Sequence, residues 1–421
     1  MSIAPTTDPS AAVPDFPDRR DLEALLDELL PVGWGTAVRA GDEVAVSMMR
    51  PEIEGPTIVR SLGHAGWTAP HLAPEHGGRG LARDDARATL TLLQVWDVPH
   101  VPRGSGMPLA APTIEQWSTD ETKRRLLPPL VTGEERWCQL FSEPGAGSDM
   151  ASLATSAVRD GNEWVVNGQK VWTTFGHESE MAMLIARTDP DVPKHAGITY
   201  FGLDMRAPGV DVRPLVNIAG QVEFNEVFLT DVRVPDVCRI SPIGKGWSAA
   251  MTTLSAERHA LSGGRRKRKA SDEILGGKPL AEVVALARAG EHVRGPVERD
   301  GLARAHTADR LLTLTAARAR DRAAAGRPAG PEGSITKIAK ATTNQRLQEL
   351  AMLLLGAHAA AWEADDGEAG TWIVQFLRTR ANSIEGGTSE IQRNIVGERV
   401  LGLPREPDPH RGRPWRDVPR S

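Results

Sequence analysis

The stretch from Trp137 to Gly176, WCQLFSEPGAGSDMASLATSAVRDGNEWVVNGQKVWTTFG, reads as a glycine-rich turn followed by paired strands. Gln139 to Phe141 is a short apolar run, and Glu143-Pro144-Gly145-Ala146-Gly147-Ser148-Asp149 follows it. The glycines therefore sit in a tight loop leaving a strand, where backbone must approach a ligand closely. No GK[ST] follows, which separates this loop from a phosphate loop. Asp160-Gly161 and Asn167-Gly168 each divide β-prone runs, the dipeptides typical of two-residue hairpin turns. They predict a double hairpin with Val171 to Thr174 on a third strand returning beside the first loop, Trp172 and Thr174 sharing a face.

A second block lies about two hundred residues on: Ile384 to Leu403, IEGGTSEIQRNIVGERVLGL. With Ser142 to Asp149 and Trp172-Thr173-Thr174, it resembles the acyl-CoA dehydrogenase family, whose middle domain carries an [ST]EPxAGSD turn and a W-x-T strand. Recognisable similarity runs from about Trp67 to Pro404. The resemblance implies a multidomain α+β fold: an α-helical amino-terminal domain, an antiparallel β-barrel-like middle domain and a carboxy-terminal four-helix bundle that mediates assembly. It implies FAD as cofactor, an acyl-CoA thioester dehydrogenated to the trans-2-enoyl form, and an electron-transfer flavoprotein as partner. A related flavin oxidase or monooxygenase, and a non-catalytic nucleic-acid-binding member of the fold, are the alternatives.

Composition agrees with a large globular chain. Its 421 residues are 40% hydrophobic, enough for two or three domains with ordinary cores. Fifty basic against fifty-five acidic residues leave a formal charge of −5, which gives no overall electrostatic case for nucleic acid or a membrane surface. The two cysteines, Cys138 and Cys238, suit neither a disulfide framework nor a zinc site and read as small buried thiols. No stretch of about eighteen apolar residues occurs, and the start, MSIAPTTDPSAAVPDFPD, is proline-rich and acidic, so the expected location is the cytoplasm.

Periodicity divides the chain into a leader (1–18), a helical domain (19–134), a middle β domain (135–237), a helical bundle (238–404) and a tail (405–421). Asp21 to Leu30 and Leu81 to Trp96 read as helices, and Ser118-Thr119-Asp120-Glu121 as a capping box opening a helix that ends at Pro128-Pro129. The intervening GHAGWTAPHLAPEHGGRG carries His64, His71 and His76 without metal-site spacing, so no metal is assigned. Met181 to Arg187, Gly197 to Asp204, Gly209 to Leu215 and Val222 to Val234 read as strands. Leu347, Leu350, Ala351, Leu354 and Leu355 form one helical stripe, on a helix capped by Ser334, and Ala308, Leu311, Leu312 and Thr315 another. These stripes predict helices that assemble dimers of dimers.

Removing hydrogen from Cα and Cβ of a thioester needs a base, a hydride acceptor and donors that polarise the carbonyl. In many family members the base is a glutamate just before the Gly-Thr of the carboxy-terminal signature. Here that place is Gly386, and Glu385 is one residue early, pointing elsewhere. Other branches, the isovaleryl and long-chain ones, keep the base in an LxxER helix, which Leu254-Ser255-Ala256-Glu257-Arg258-His259-Ala260-Leu261-Ser262-Gly263-Gly264 matches. The resemblance thus assigns the base to Glu257, with Arg258 orienting the site and the Gly386 backbone N–H polarising the carbonyl. Ala260, Leu261 and Gly264 fall on the same helical wall as Glu257 and would border an acyl slot.

Carried over position by position, the flavin contacts are Gln139, Phe141, Ser142, Gly147, Ser148, Trp172, Thr174, Thr388 and Glu390, and Ser148 and Arg258 also reach substrate. Ser389 and Gln392 read as a capping box at a helix start, where free N–H groups suit phosphate or ribose oxygens. Two segments depart from the family pattern: Asp272 to Leu280 lacks the Arg and Phe of RxxFG, and Leu353 to His358 lacks the Gln and second Gly of QxxGGxG. The chain is accordingly expected either as a homo-oligomer, dimer or tetramer, or as a heterotetramer with a homologous chain supplying the missing contacts. The one dense basic run, Arg265 to Lys269, reads as a solvated loop.

Overall fold

The computed structural model describes residues 13–262, 276–289, 295–325, 332–360 and 367–419. The amino-terminal helices are α1 (Arg19–Leu29), α2 (Trp34–Ala40), α3 (Glu43–Met49), α4 (Gly55–His64), α5 (Arg83–Val95), α6 (Ala111–Trp117) and α7 (Asp120–Thr132). Leu22 and Leu26 of α1 pack with Trp34, Trp67 and Trp96 in one core. Thr119, not Ser118, caps α7, its hydroxyl accepting the Thr122 N–H at 3.2 Å. That helix does not stop at Pro128-Pro129 but runs through to Thr132. Its inward face buries Leu126, Leu127, Leu130 and Val131, while Arg124 and Arg125, whose carbonyls lose their donors to the prolines, are exposed. His64, His71 and His76 each meet a different carboxylate: Glu134, Glu115 and Asp120.

The middle of the chain folds as β1 (Trp137–Leu140), β2 (Ser156–Asp160), β3 (Glu163–Thr174), β4 (Met181–Arg187), β5 (Ile198–Asp204), β6 (Val210–Val216) and β7 (Val222–Pro235). Strand order is β1-β4-β2-β3-β7-β6, with β5 also paired to β4. Most neighbours are antiparallel, as expected, but β1 lies parallel to β4 and Ser156 pairs with Arg187 in parallel, so the sheet is mixed. The whole β2/β3 hairpin lies between β1 and β4 in the chain, a crossover long enough for parallel pairing.

Asp160-Gly161 turns a hairpin as predicted. Asn167-Gly168 does not: β3 continues through it, with a register shift between Val166 and Gly168 against β7. A Cβ at Gly168 would lie 2.3 Å from the Thr155 hydroxyl and 2.7 Å from its Cα, so close approach, not a turn, requires the glycine there. Val171 to Thr174 is thus the end of β3 rather than a separate strand.

Helices return with α8 (Gly246–Ser262), α9 (Leu280–Ala289), α10 (Pro296–Ala324), α11 (Glu332–Leu355), α12 (Ala357–Ala360), α13 (Gly367–Arg378) and α14 (Ser389–Arg399). α11 starts at Glu332, so Ser334 falls within its first turn and is not its cap. The expected stripe is real: Leu347, Leu350 and Ala351 are buried against Val283 and Trp372, with Leu354 and Leu355 partly covered. α11 contacts α8, α9, α10, α13 and α14, and so forms the axis of the bundle. The first turns of α8 belong to another core: Ala249 and Ala250 pack with the sheet, α6 and α7. The segment read as a tail folds back onto the β4–β5 loop, Trp415 N–H donating to the Val192 carbonyl at 2.9 Å. Among the described residues, no helix is long and apolar enough to cross a membrane.

Candidate active site

The glycine turn is held from below by a buried ion pair that the sequence did not reveal. Glu143 and Lys170 are both buried, with Lys170 Nζ 2.8 Å from Glu143 Oε1. Lys170 Nζ also donates to the Phe141 carbonyl at 3.1 Å, and Glu143 accepts the N–H groups of Ala154 (2.6 Å) and Thr155 (3.0 Å). Burial pushes the Glu143 carboxyl up, but the Lys170 charge and these hydrogen bonds outweigh it and hold the group below its ordinary 4.5. Burial lowers the Lys170 pKa, and Glu143 opposes that shift. Glu143 and Ala146 exchange backbone hydrogen bonds, closing the turn, and Pro144, Gly145, Gly147, Ser148 and Asp149 face outward. A Cβ at Gly147 would meet nothing within 4 Å, so that face of the turn is open. Val171 N–H donates to the Ser142 carbonyl at 2.9 Å, which ties the turn to the end of β3.

Trp172 is the exposed aromatic of this platform, 63% exposed beside the fully buried Thr173 and the half-buried Thr174. Its φ of 62° is left-handed, unusual for a bulky residue, and coincides with the register shift between Lys170 and Thr173. Backbone strain of this kind recurs at ligand-holding positions. The edge of Phe224 on β7 supports the indole, with ring centroids 6.1 Å apart. Gln139 is half-buried on β1, whereas Phe141 is buried with its ring edge-on to Tyr200 at 5.6 Å, so its backbone is the part available to a ligand.

From Phe224 the contacts lead to the carboxy-terminal block. The Arg378 guanidinium carbon is 5.7 Å from the Phe224 ring centroid, and this buried side chain donates to both oxygens of Glu223, at 2.7 and 2.9 Å. It also reaches both oxygens of Glu385, at 3.3 and 3.0 Å, and Asn382 Nδ2 adds a bond to Glu385 Oε1 at 2.8 Å. Arg378, which sequence reasoning passed over, therefore joins the sheet to the loop carrying Gly386. Gly386 and Gly387 have φ of 63° and 85°. The cap of α14 is Thr388, not Ser389, and accepts the Ile391 N–H at 3.2 Å. Gln392 Nε2 donates instead to the Gly386 carbonyl at 3.1 Å, so no reciprocal capping box forms. Glu390, in the first turn, is exposed and paired with Arg393 at 3.0 Å.

α8 carries Glu257, and its first turns are fixed by packing against the sheet, α6 and α7. A Cβ at Gly246 would lie 2.6 Å from the Thr199 backbone, so glycine lets the helix start against β5. Two turns later the buried Thr253 hydroxyl meets Tyr200 Oη at 3.0 Å and Thr113 Oγ1 at 2.8 Å. Glu257 follows one turn beyond Thr253 and is half-buried, where the packed face leaves the core. Arg258, Ala260 and Leu261 lie on α8 as expected, while Gly264 and Arg265 to Lys269 fall outside the described residues. Cys138 and Cys238 are both buried, and burial pushes the Cys138 thiol up to about 12. Gly356 (φ 56°) ends α11 within the Leu353 to His358 segment.

Family models match the chain in three consecutive parts: acyl-CoA dehydrogenase N-terminal domain over 41–134, middle domain over 138–232 and C-terminal domain over 244–401. The acyl-CoA dehydrogenase IpdE1 of Mycobacterium tuberculosis is 39% identical over 345 residues, 82% of this chain and 87% of that protein. Among solved structures, the steroid ACAD Tcur3481-Tcur3483 superposes with a TM-score of 0.68 at 28% identity, covering 92% of this chain and 97% of that one. The ChsE4-ChsE5 complex from Mycobacterium tuberculosis gives 0.65 at 26% identity, covering 96% and 100%. With matching models over all three domains and the turn, indole platform and glycine loop gathered in one fold, this chain belongs to the acyl-CoA dehydrogenase family of oxidoreductases acting on the CH–CH bond of acyl-CoA.

Proposed function

We propose that the chain is an FAD-dependent dehydrogenase that takes the α proton of an acyl-CoA onto Glu257 and yields the trans-2-enoyl thioester. The observation that carries this reading is the state of Glu385, whose two oxygens are engaged by Arg378 and Asn382 beside a glycine at 386. A base needs a lone pair within reach of the proton it takes. Glu385 serves as a structural anchor between sheet and loop, and the LxxER match on α8 supports giving the role to Glu257.

The residues present suit FAD. An open turn at Gly147 and Ser148, an exposed indole at Trp172, a hydroxyl at Thr174 and the start of α14 at Thr388 offer an aromatic wall, polar contacts and helix N–H groups. When bound, FAD supplies the hydride acceptor for Cβ. Gly386 offers its backbone N–H to the thioester oxygen as enolate charge grows, and Arg258 orients the carboxylate. Electrons leave to an electron-transfer flavoprotein.

Purified protein is expected to be yellow, and at least one acyl-CoA in a panel of straight, branched and ring-bearing thioesters should bleach it anaerobically. The steroid enzyme among the similar structures makes ring-bearing acyl groups the first to try. A colourless protein that takes up no flavin contradicts the reading.

Assembly follows from the bundle's outer faces. Val297, Leu311, Leu314 and Leu353 are each more than half exposed on α10 and α11, a density of apolar surface that a lone protomer rarely leaves uncovered. Light scattering should give dimers of dimers, either from this chain alone or with a homologous second chain. The second option draws on the incomplete segment at Leu353 to His358 and on the two-component ChsE4-ChsE5 relative. A stable FAD-loaded monomer contradicts both.

A further inference from the structure

The carboxy-terminal strap is built into a rim beside the glycine turn, Trp415 Nε1 donating to the Ser152 carbonyl at 3.4 Å. Pro414 bridges Pro193 on the β4–β5 loop, Arg416 N–H donates to the Pro190 carbonyl at 3.1 Å, and the Arg416 side chain pairs with Asp191. Trp415 is buried, with the Arg187 guanidinium carbon 4.3 Å from its ring centroid. Arg187 is itself buried and donates to the carbonyls of Ala151 (2.7 Å), Leu153 (3.1 Å) and Lys194 (3.1 Å). One buried cation therefore fastens the segment after the glycine turn, the β4–β5 loop and the strap together.

Charge on this rim is unevenly distributed. Asp149 is taken by Lys194 at 2.8 Å, and Asp191 by Arg416. Arg411 and Arg413 are exposed, and neither meets an acid among the described residues, although Arg413 Nη1 lies 3.5 Å from His410 Nδ1. Glu406, Asp408 and Asp417 are the exposed acids that remain on the strap. The same rim reaches α8: the His195 ring stacks edge-on against Trp247 at 4.8 Å. Trp247 to Glu257 is ten residues of helix, roughly 15 Å, a length comparable to an extended pantetheine arm.

We propose that the strap forms the nucleotide-end rim of the acyl-CoA site, with Arg411 and Arg413 receiving the phosphates of coenzyme A. The proposal rests on the acyl-CoA reading above and extends it to the far end of the substrate. Guanidinium groups pair with phosphate through two hydrogen bonds at once, so two exposed arginines with no acid partner among the described residues, on an anchored segment, match a ligand carrying several phosphate charges.

Calorimetric titration of the full-length protein with free coenzyme A and with pantetheine tests this. The wild type should bind coenzyme A more tightly than pantetheine. In R411Q/R413Q that advantage should fall by about tenfold or more, the expected loss of two charge-assisted contacts, with a shallower dependence on salt. Trp415→Ala, which frees the strap, should produce the same loss of discrimination. If the wild type does not favour coenzyme A, or if R411Q/R413Q keeps the full advantage, the proposal is overturned. If coenzyme A binding responds as expected while no acyl-CoA bleaches the protein, the strap stands and the dehydrogenation chemistry fails.

Discussion

Lys170→Met is expected to destabilise the middle domain by about 3–5 kcal/mol, the cost of stranding a buried carboxylate whose partner has been removed. Lys170 is fully buried and bonds both Glu143 and the Phe141 carbonyl, so methionine keeps the packing volume but deletes two donors. Glu143 would retain the Ala154 and Thr155 N–H groups, which is why loss of the glycine turn's fixed shape, not complete unfolding, is the expected phenotype. The double variant Glu143→Leu/Lys170→Met should recover most of the stability, since apolar groups replacing a whole buried pair are often neutral.

Acid sensitivity should follow the same logic. In the wild type the Glu143 pKa lies below 4.5 in the folded state, so its stabilisation is fully present above that value and is lost as pH falls through the folded pKa. Without Lys170, the burial that pushes this carboxyl up is no longer outweighed by a cation, and the acid limb of the stability profile should move to higher pH. Denaturant midpoints followed from pH 7 downward would check both claims. A cost below about 1 kcal/mol with an unmoved acid limb would mean that the pair does not anchor the turn.

Much of this architecture is legible in the sequence because punctuation and periodicity coincide. The bounds of β4 were readable because glycine, proline and aspartate flank its uninterrupted apolar run. Asn167-Gly168 misled because glycine serves two needs, and at this site it admits the Thr155 side chain rather than a turn. The prolines of α7 misled for the opposite reason, since the helix has an exposed face on which lost hydrogen bonds are cheap. Lys170 carried a faint signal: plain alternation from Trp164 and Val166 places it at an inward position of β3, where a charged residue is unexpected. Arg378 and Trp415 act on partners 155 and 228 residues away, Glu223 and Arg187, and no local pattern announces such contacts.

Glu257→Gln is expected to leave flavin content and thioester binding near normal and to slow substrate-dependent bleaching by roughly 100- to 10,000-fold, the usual loss when a general base is removed. Glutamine preserves shape and hydrogen bonding, so a rate effect of this size without loss of ligand would report the missing proton acceptor. Glu385→Gln should behave differently. It weakens the Arg378 link between sheet and loop, and is therefore expected to lower stability more than the bleaching rate. Gly386→Glu in the Glu257→Gln background places a carboxylate where other branches of the family keep theirs, at a backbone φ of 63° that glycine tolerates and glutamate adopts at a cost. Partial recovery there would put both positions around one α carbon. The most direct measurement is anaerobic stopped-flow bleaching of wild type, Glu257→Gln and Glu385→Gln with one saturating acyl-CoA. The rate is expected to collapse in Glu257→Gln alone; a collapse confined to Glu385→Gln would contradict the assignment of the base to Glu257 and return it to the carboxy-terminal loop.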